Sequence, residues 1–100
     1  MAGRSRRVKL LWSMSAERDL DRLWQFLADR SVDLADRIEE RIRIRAESLI
    51  VMPHQGRPIP GRPERELPIP DVQYVIVYAI GDDAIRILRV WSTRQNREEP

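Results

Sequence analysis

The sequence predicts a two-layer α+β domain, in which a hairpin of two helices packs on a small, mainly antiparallel sheet. Two amphipathic segments follow one another with a very short link, which is typical of an antiparallel helical hairpin. Two β-prone runs at 73–80 and 84–91 flank a Gly-Asp-Asp turn, and a short apolar segment precedes the first helix. The predicted order is β-α-α-β-β-β, and 100 residues suffice for one domain, with frayed ends at 1–7 and 95–100.

The first strand is predicted at 8–13. Its apolar residues alternate so that Val8, Leu10 and Trp12 share one face, and Leu11 is expected to be partly covered on the other face.

Ser15 is the predicted N-cap of the first helix, which ends near residue 30. Glu17 and Asp19 in its first turn complement the helix dipole. Its apolar stripe comprises Ala16, Leu20, Leu23, Trp24 and Leu27.

Ser31 is the predicted N-cap of the second helix, and Pro53 ends it. Glu39 and Arg43 are four residues apart on its outer face, a favourable ion-pair spacing. The apolar stripe of this helix comprises Leu34, Ala35, Ile38, Ile42, Ala46 and Leu49. Residues 53–63 hold four prolines and two glycines, and this composition predicts a stiff, mostly extended loop.

The remaining strands form the carboxyl half of the chain. The run at 65–69 is expected at a sheet edge, because Pro68 and Pro70 cannot donate backbone hydrogen bonds. The runs at 73–80 and 84–91 are rich in β-branched and aromatic residues and predict a β-hairpin.

Composition excludes several classes of site. The sequence contains no cysteine, which excludes disulfide scaffolds and zinc ribbons, and a single histidine, His54, leaves no histidine-based metal cluster. No cofactor is expected. The net charge of +2 is too small to argue for nucleic acid by itself, although every basic residue except Lys9 is an arginine. No apolar run approaches a membrane span and no signal peptide is evident, which predicts a cytoplasmic protein.

Catalytic motifs are weak. No serine lies in a Gly-x-Ser-x-Gly elbow, and the four glycines form no phosphate-binding loop. His54 is either an exposed loop residue or an acid–base group without an evident partner. Arginine and aromatic residues recur near the hairpin, where they suit a protein interface or a nucleotide-stacking site, or, for Tyr78 and Trp91, the core. These residues are Tyr74, Tyr78, Arg89, Trp91 and Arg94.

The order of short motifs resembles the ParE toxins, a branch of the RelE/ParE superfamily in bacterial type II toxin–antitoxin modules. The matching segments span about residues 8 to 94. They are SAERDLDRLW at 15–24, ADRI at 35–38, MPHQGRP at 52–58, REL at 65–67, YVIVY at 74–78 and ILRVW at 87–91. The resemblance implies the RelE/ParE-like fold. It also implies a toxin that inhibits DNA gyrase, is not an enzyme and is neutralised by a ParD-like antitoxin.

The resemblance also implies two sets of site residues. The toxic surface that contacts gyrase is predicted to comprise Arg57, Arg65, Tyr74, Arg89, Trp91 and Arg94. The antitoxin-binding residues are predicted to be Arg18, Arg22, Trp24, Arg41, Arg45 and Tyr78. An acidic, partly disordered antitoxin tail would fold over the toxin helices, its carboxylates pairing with these arginines. The complex is expected to be a heterotetramer or larger in the bacterial cytoplasm, in contact with DNA only through the antitoxin.

Two other functions remain open. RelE-like relatives cleave ribosome-bound mRNA, but they carry an arginine in the strand position that is Val75 here. Loss of a cation that stabilises a phosphorane-like transition state favours gyrase inhibition over RNA cleavage. The third hypothesis is a non-toxic protein that only binds an antitoxin and represses transcription with it.

Overall fold

The computed structural model describes residues 8–94, and the frayed ends predicted at 1–7 and 95–100 lie outside this range. The described elements are β1 Lys9–Trp12, α1 Met14–Ala28, α2 Val32–Val51, a 3₁₀ helix at Pro53–Gln55, β2 Arg57–Pro58, β3 Arg65–Ile69, β4 Tyr74–Ile80 and β5 Ala84–Ser92. The predicted α+β class is confirmed. No helix within residues 8–94 has the length and apolar character needed to cross a membrane.

The strands form one sheet in the order β1-β5-β4-β3-β2. β1 runs parallel to β5 and the other neighbours are antiparallel, so the mainly antiparallel sheet is confirmed. β2 lies inside the segment that was predicted to be only a loop, and it displaces β3 from the edge. Its two residues pair with Glu66 and Arg65 of β3. A proline in β2 is tolerated because this strand has no described neighbour on its outer side.

The first helix begins earlier than predicted. Ser13, not Ser15, is the N-cap: its Oγ accepts a hydrogen bond from the backbone N–H of Ala16 at 2.9 Å. The Ser13 hydroxyl also donates to the carbonyl of Leu88 in β5 at 3.0 Å. The start of α1 is therefore attached to the sheet, while Ser15 lies exposed within the helix.

The second helix follows the prediction closely. Ser31 Oγ accepts a hydrogen bond from the N–H of Leu34 at 3.1 Å, and Arg43 pairs with Glu39 at 3.1 Å. Arg43 also lies over the Trp12 ring, with its guanidinium carbon 5.0 Å from the ring centroid. Arg43 thereby connects α2, on which it lies, to β1.

Both helices cover the same face of the sheet, and the core lies between the two layers. The buried apolar side chains include Leu20, Leu23, Leu27, Ile42, Leu49, Ile69, Ile76, Ile85, Ile87 and Val90. Leu11 lies on the opposite face and is 38% exposed, which agrees with the prediction that it is partly covered. Trp24 packs at the margin of the core, and its Nε1 donates to Asp36 Oδ1 at 2.8 Å, which ties α1 to α2.

Tyr78 anchors the segment that follows α2. Its side chain is fully buried, and its hydroxyl donates to the carbonyl of Pro53 at 2.6 Å and accepts from the N–H of Gly56 at 3.0 Å. Arg65 Nη2 donates to the Gly56 carbonyl at 2.9 Å. The 3₁₀ helix and β2 are therefore held on the sheet by one tyrosine and one arginine.

Candidate protein-binding groove

The candidate site lies where β5 extends beyond its parallel neighbour. β1 pairs with β5 only as far as Trp12 and Ile87, so residues 88–92 have no strand beside them on that edge within the described chain. α1 passes along this edge, and Asp19 accepts a hydrogen bond from the backbone N–H of Val90 at 2.8 Å. A groove of about 340 Å³ forms between the helix and the strand.

The groove combines aromatic and basic side chains. It is lined by Asp19, Arg22, Leu23, Phe26, Tyr74, Arg89, Val90, Trp91, Ser92 and Arg94. Phe26 is 61% exposed and Trp91 is 46% exposed, whereas Tyr74 is buried in the floor. Large apolar side chains with this exposure beside arginines are typical of protein-binding surfaces.

Asp19 organises the wall of the groove. Its side chain is only 6% exposed, and it accepts hydrogen bonds from Arg89 Nε at 2.8 Å and Arg89 Nη2 at 3.0 Å. It is the only charged residue that is buried within residues 8–94. The hydrogen bond from Arg89 to Asp19 raises the pKa of the guanidinium above its ordinary value. Arg89 is thus held as a cation by Asp19, while its side chain remains 40% exposed at the edge of the groove.

The other two arginines differ from Arg89. Arg94 Nε donates to Gln73 Oε1 at 3.2 Å, a neutral partner, and forms no ion pair with another residue of the described range 8–94. Arg22 is exposed on α1, and no ion pair joins it to another described residue. Within the described residues, the groove therefore combines aromatic side chains with two arginines that lack an ion-pair partner.

The residues predicted for the toxic surface separate into two groups. Tyr74, Arg89, Trp91 and Arg94 come together in the groove. Arg57 and Arg65 do not, because β2 and β3 carry them to a different part of the sheet. Arg57 pairs with Glu66 at 3.3 Å, and Arg65 donates to backbone carbonyls beside the 3₁₀ helix. Arg57 and Arg65 therefore lie apart from the groove, and their assignment to the gyrase contact stays a prediction.

The residues predicted to bind an antitoxin lie on both helices, with one exception. Arg18, Arg22 and Trp24 belong to α1, and Arg41 and Arg45 belong to α2. Tyr78 is fully buried and forms the internal hydrogen bonds described above. Its prediction as a surface residue is wrong, because the period-two pattern of β4 directs it into the core.

The groove has few side chains that could act as a catalytic acid or base. The only histidine, His54, is exposed on the 3₁₀ helix and is not among the residues that line the groove. The groove carboxylate, Asp19, already accepts three hydrogen bonds. Within residues 8–94 no group of three or more carboxylate, histidine or cysteine side chains is arranged to hold a metal ion. The arrangement is suited to holding another macromolecule.

Comparison with known proteins identifies the family. Residues 10–97 match the family model described as the ParE toxin of the type II toxin–antitoxin system parDE. The chain belongs to the ParE toxin family. Its predicted membership of the RelE/ParE superfamily and its identity as a type II toxin are therefore confirmed.

Two individual relatives of this ParE-family chain are also named as toxins. A protein of Sinorhizobium fredii named "Putative toxin Y4kP" is 33% identical over 89 residues, covering 89% of this chain and 92% of the relative. Toxin RelE1 of Caulobacter vibrioides is 32% identical over 90 residues, covering 88% and 96%. A solved structure described as a chromosomal ParDE toxin–antitoxin system from P. aeruginosa superposes with a TM-score of 0.81. It is 20% identical over 90% of this chain and 100% of that chain, which supports the fold.

Asp19 and Phe26 are functional candidates of this ParE-family chain that the sequence analysis did not select. Asp19 could have been recognised from the sequence, because it lies three residues after Ala16 and four before Leu23, on the buried stripe of α1. A carboxylate at such a position requires a buried partner. Phe26 lies outside the apolar stripe, and an exposed phenylalanine alone gives no such indication.

A second, more open cavity of about 420 Å³ lies between α2 and the β3–β4 connection. Its walls include Arg37, Arg41 and Asp71. Arg41 Nε donates to Asp71 at 2.8 Å, and this hydrogen bond holds the pKa of the Asp71 carboxyl below its ordinary value. The pair connects α2 to the sheet at the protein surface.

We expect Asp71→Asn to cause a small, pH-dependent loss of stability. A lowered pKa in the folded state stabilises the protein above the unfolded value of 3.8, and this contribution is lost as the pH falls through the folded pKa. Urea unfolding of both proteins is measured from about pH 7 down to about pH 3, and the stability difference is expected to shrink across that range. A difference that stays constant with pH would contradict the assignment.

Proposed function

We propose that this ParE-family toxin inhibits DNA gyrase by binding it through the groove between α1 and β5, without catalysing a reaction itself. The observation that carries the proposal is that exposed Trp91 and Phe26 line the groove together with Arg22 and Arg94, neither of which pairs with a carboxylate among residues 8–94. A few residues dominate the binding energy of most protein interfaces, and tryptophan and arginine are enriched among them. Inhibition of gyrase by a protein of this kind requires only binding.

Two features favour binding over RNA cleavage. Cleavage needs a positioned acid or base and cations that are free to stabilise the transition state. Arg89 is the one groove arginine that lies on a described strand, and it is already paired with Asp19. Position 75 on β4, beside Trp91 in the strand register, is the apolar Val75. The centre of the groove therefore has few groups for phosphate chemistry.

The same proposal assigns the helices to an antitoxin related to ParD. Arg18 and Arg22 are exposed on α1, and the second cavity adds apolar wall from Leu34 and Ile38 on α2. Arg41 is paired with Asp71, and Arg45 donates to Gln55 and to the Pro68 carbonyl. An acidic antitoxin segment would fold on this surface, pairing its carboxylates with Arg18 and Arg22 and exchanging with the internal partners of Arg41 and Arg45. The proposed complex is a hetero-oligomer in the bacterial cytoplasm, which reaches DNA through the antitoxin.

RNA cleavage remains the second candidate function because of one comparison. The 32% identical relative from Caulobacter vibrioides is named Toxin RelE1. A ribosome-dependent ribonuclease would cut mRNA during translation, and an Arg94→Ala variant would lose this activity. An assay of the fate of mRNA in a translating extract therefore accompanies the gyrase assay.

We expect Trp91→Ala to raise the toxin concentration for half-maximal inhibition of gyrase supercoiling by about tenfold or more, as for a central interface aromatic. Arg94→Ala is expected to weaken inhibition by a smaller factor, because this side chain lies at the rim. Arg62→Ala is the matched control: Arg62 is exposed, pairs with Glu64 at 3.2 Å and does not line the groove.

The three candidate functions give different results in this experiment. Inhibition that is lost in Trp91→Ala and kept in Arg62→Ala supports gyrase binding through the groove. Cleaved mRNA with unaffected supercoiling would replace the proposal by a RelE-like ribonuclease. Normal growth on overexpression, with no effect in either assay and antitoxin binding intact, would leave a non-toxic scaffold.

A further inference from the structure

Two consecutive contacts, from Asp19 to Arg89 and from Arg89 to Trp91, connect the buried side of α1 to the exposed rim of the groove. Asp19 binds the Arg89 guanidinium through Nε and Nη2, and the Arg89 guanidinium carbon lies 5.2 Å from the centroid of the Trp91 ring. Arg89 and Trp91 are two residues apart on β5, so their side chains leave the same face of the strand. The chain of contacts runs from a buried carboxylate to a half-exposed indole.

Asp19, the buried end of this series of contacts, is fixed in place. Asp19 is almost entirely buried, and the backbone N–H of Val90 holds Oδ2 at 2.8 Å. Because Val90 lies between Arg89 and Trp91, the carboxylate is attached to the same stretch of β5 that it organises. The bidentate bond then sets the plane of the guanidinium, since two parallel N–H groups face two oxygens.

We propose that Asp19 and Arg89 are positioning residues that hold the Trp91 indole in one orientation before a partner arrives. The inference rests on the proposed function, in which Trp91 is the aromatic contact for gyrase. A fixed indole avoids the entropy that a mobile side chain loses on binding, so preorganisation increases affinity without any new contact. The cation–π contact with Arg89 is the means by which the buried carboxylate acts at the surface.

This arrangement also determines what the groove recognises. The charge of Arg89 is satisfied by Asp19, so the partner meets the uncovered indole surface at this point rather than a free cation. Arg22 and Arg94 remain to pair with carboxylates. The partner segment that fits is an apolar or aromatic side chain with acidic residues beside it.

The test measures Trp91 directly and does not depend on gyrase. The toxin is labelled with 5-fluorotryptophan, and the ¹⁹F resonances of its three tryptophans are assigned through Trp12→Phe, Trp24→Phe and Trp91→Phe. The test variant is Arg89→Lys, which keeps the positive charge but removes the planar, bidentate group. Arg86→Lys is the matched control, an exposed arginine of the same strand with no described contact to the indole. Asp19→Asn is the second test variant.

We expect Arg89→Lys to shift the Trp91 resonance towards that of solvent-exposed tryptophan, while the Trp12 and Trp24 resonances stay in place and Arg86→Lys changes none of them. In the supercoiling assay the half-inhibitory concentration is expected to rise about threefold or more, in line with the ordering of one large side chain. A merely structural role for the pair would leave the Trp91 resonance of the folded variants unchanged.

Two results would overturn the inference. One is an unchanged Trp91 resonance in both Arg89→Lys and Asp19→Asn. The other is a released indole with gyrase inhibition as strong as that of the unmodified toxin. A released indole together with an unmodified toxin that never inhibits gyrase supports the positioning role and removes the proposed function instead, so the two failures are distinguishable.

Discussion

Asp19→Ala is expected to lower the free energy of unfolding by about 2 to 3 kcal/mol. The substitution leaves the Val90 N–H without its acceptor and removes the counter-charge of Arg89. A fully buried pair broken on one side costs more, about 3 to 5 kcal/mol, but the Arg89 side chain is 40% exposed and water recovers part of the loss.

The measurement is urea unfolding at neutral pH, with Asp21→Ala as the control. Asp21 lies on the same helix, is exposed and makes no ion pair with another described residue. The control is expected to stay within about 0.5 kcal/mol of the unmodified protein. Equal losses in Asp19→Ala and Asp21→Ala would show that the ion pair across the groove wall contributes nothing to stability.

Gly56→Ala is expected to cost about 3 kcal/mol, the upper end of the range for overpacking. A Cβ added at this position would lie 2.6 Å from the Tyr78 hydroxyl and 2.7 Å from the carbonyl oxygen of Glu66. It would also lie 2.7 Å from a carbon of the Tyr78 ring. The tyrosine is fully buried and the carbonyl belongs to β3, so neither neighbour can move without disturbing the sheet.

Gly81→Ala is the matched comparison for this prediction. Its added Cβ would meet one carbonyl oxygen, that of Ala84, at 3.1 Å in an exposed turn, so we expect a clearly smaller loss. Thermal unfolding of both variants by circular dichroism provides the comparison. Equal melting temperatures for the two variants would show that the segment after α2 moves freely away from Tyr78, contrary to its hydrogen bonds.

The elements that the sequence predicts well are those whose signal is local. The stripe of α2 and its cap at Ser31 lie within one continuous segment, and the β-branched run of β4 excludes a helix. The start of α1 was misplaced because two serines, Ser13 and Ser15, satisfy the same capping rule. Only the contact with Leu88 shows which of them meets the sheet.

Features that depend on distant residues were missed for a physical reason. β2 exists because Tyr78 and Arg65 hold the preceding segment against β3, and nothing in the local Pro-rich composition indicates that pairing. Asp19 was interpreted as a dipole-compensating residue, although its partners lie 70 and 71 positions away. The groove residues on β4, on β5 and just after β5 were therefore foreseeable, whereas the contribution of α1 depends on how that helix meets the sheet.

The pairing of the first strand with the last has a consequence for synthesis of the toxin. Ser13 meets Leu88 across 75 positions, and β1 has no neighbour in the described sheet other than β5. A chain still being translated holds β1 and α1 long before their partners exist, and closing so long a loop comes late in folding. Products of premature termination before residue 84 would lack one wall of the groove altogether. On the proposed function, toxicity requires the finished polypeptide, and truncated chains are expected to be harmless to the cell that makes them.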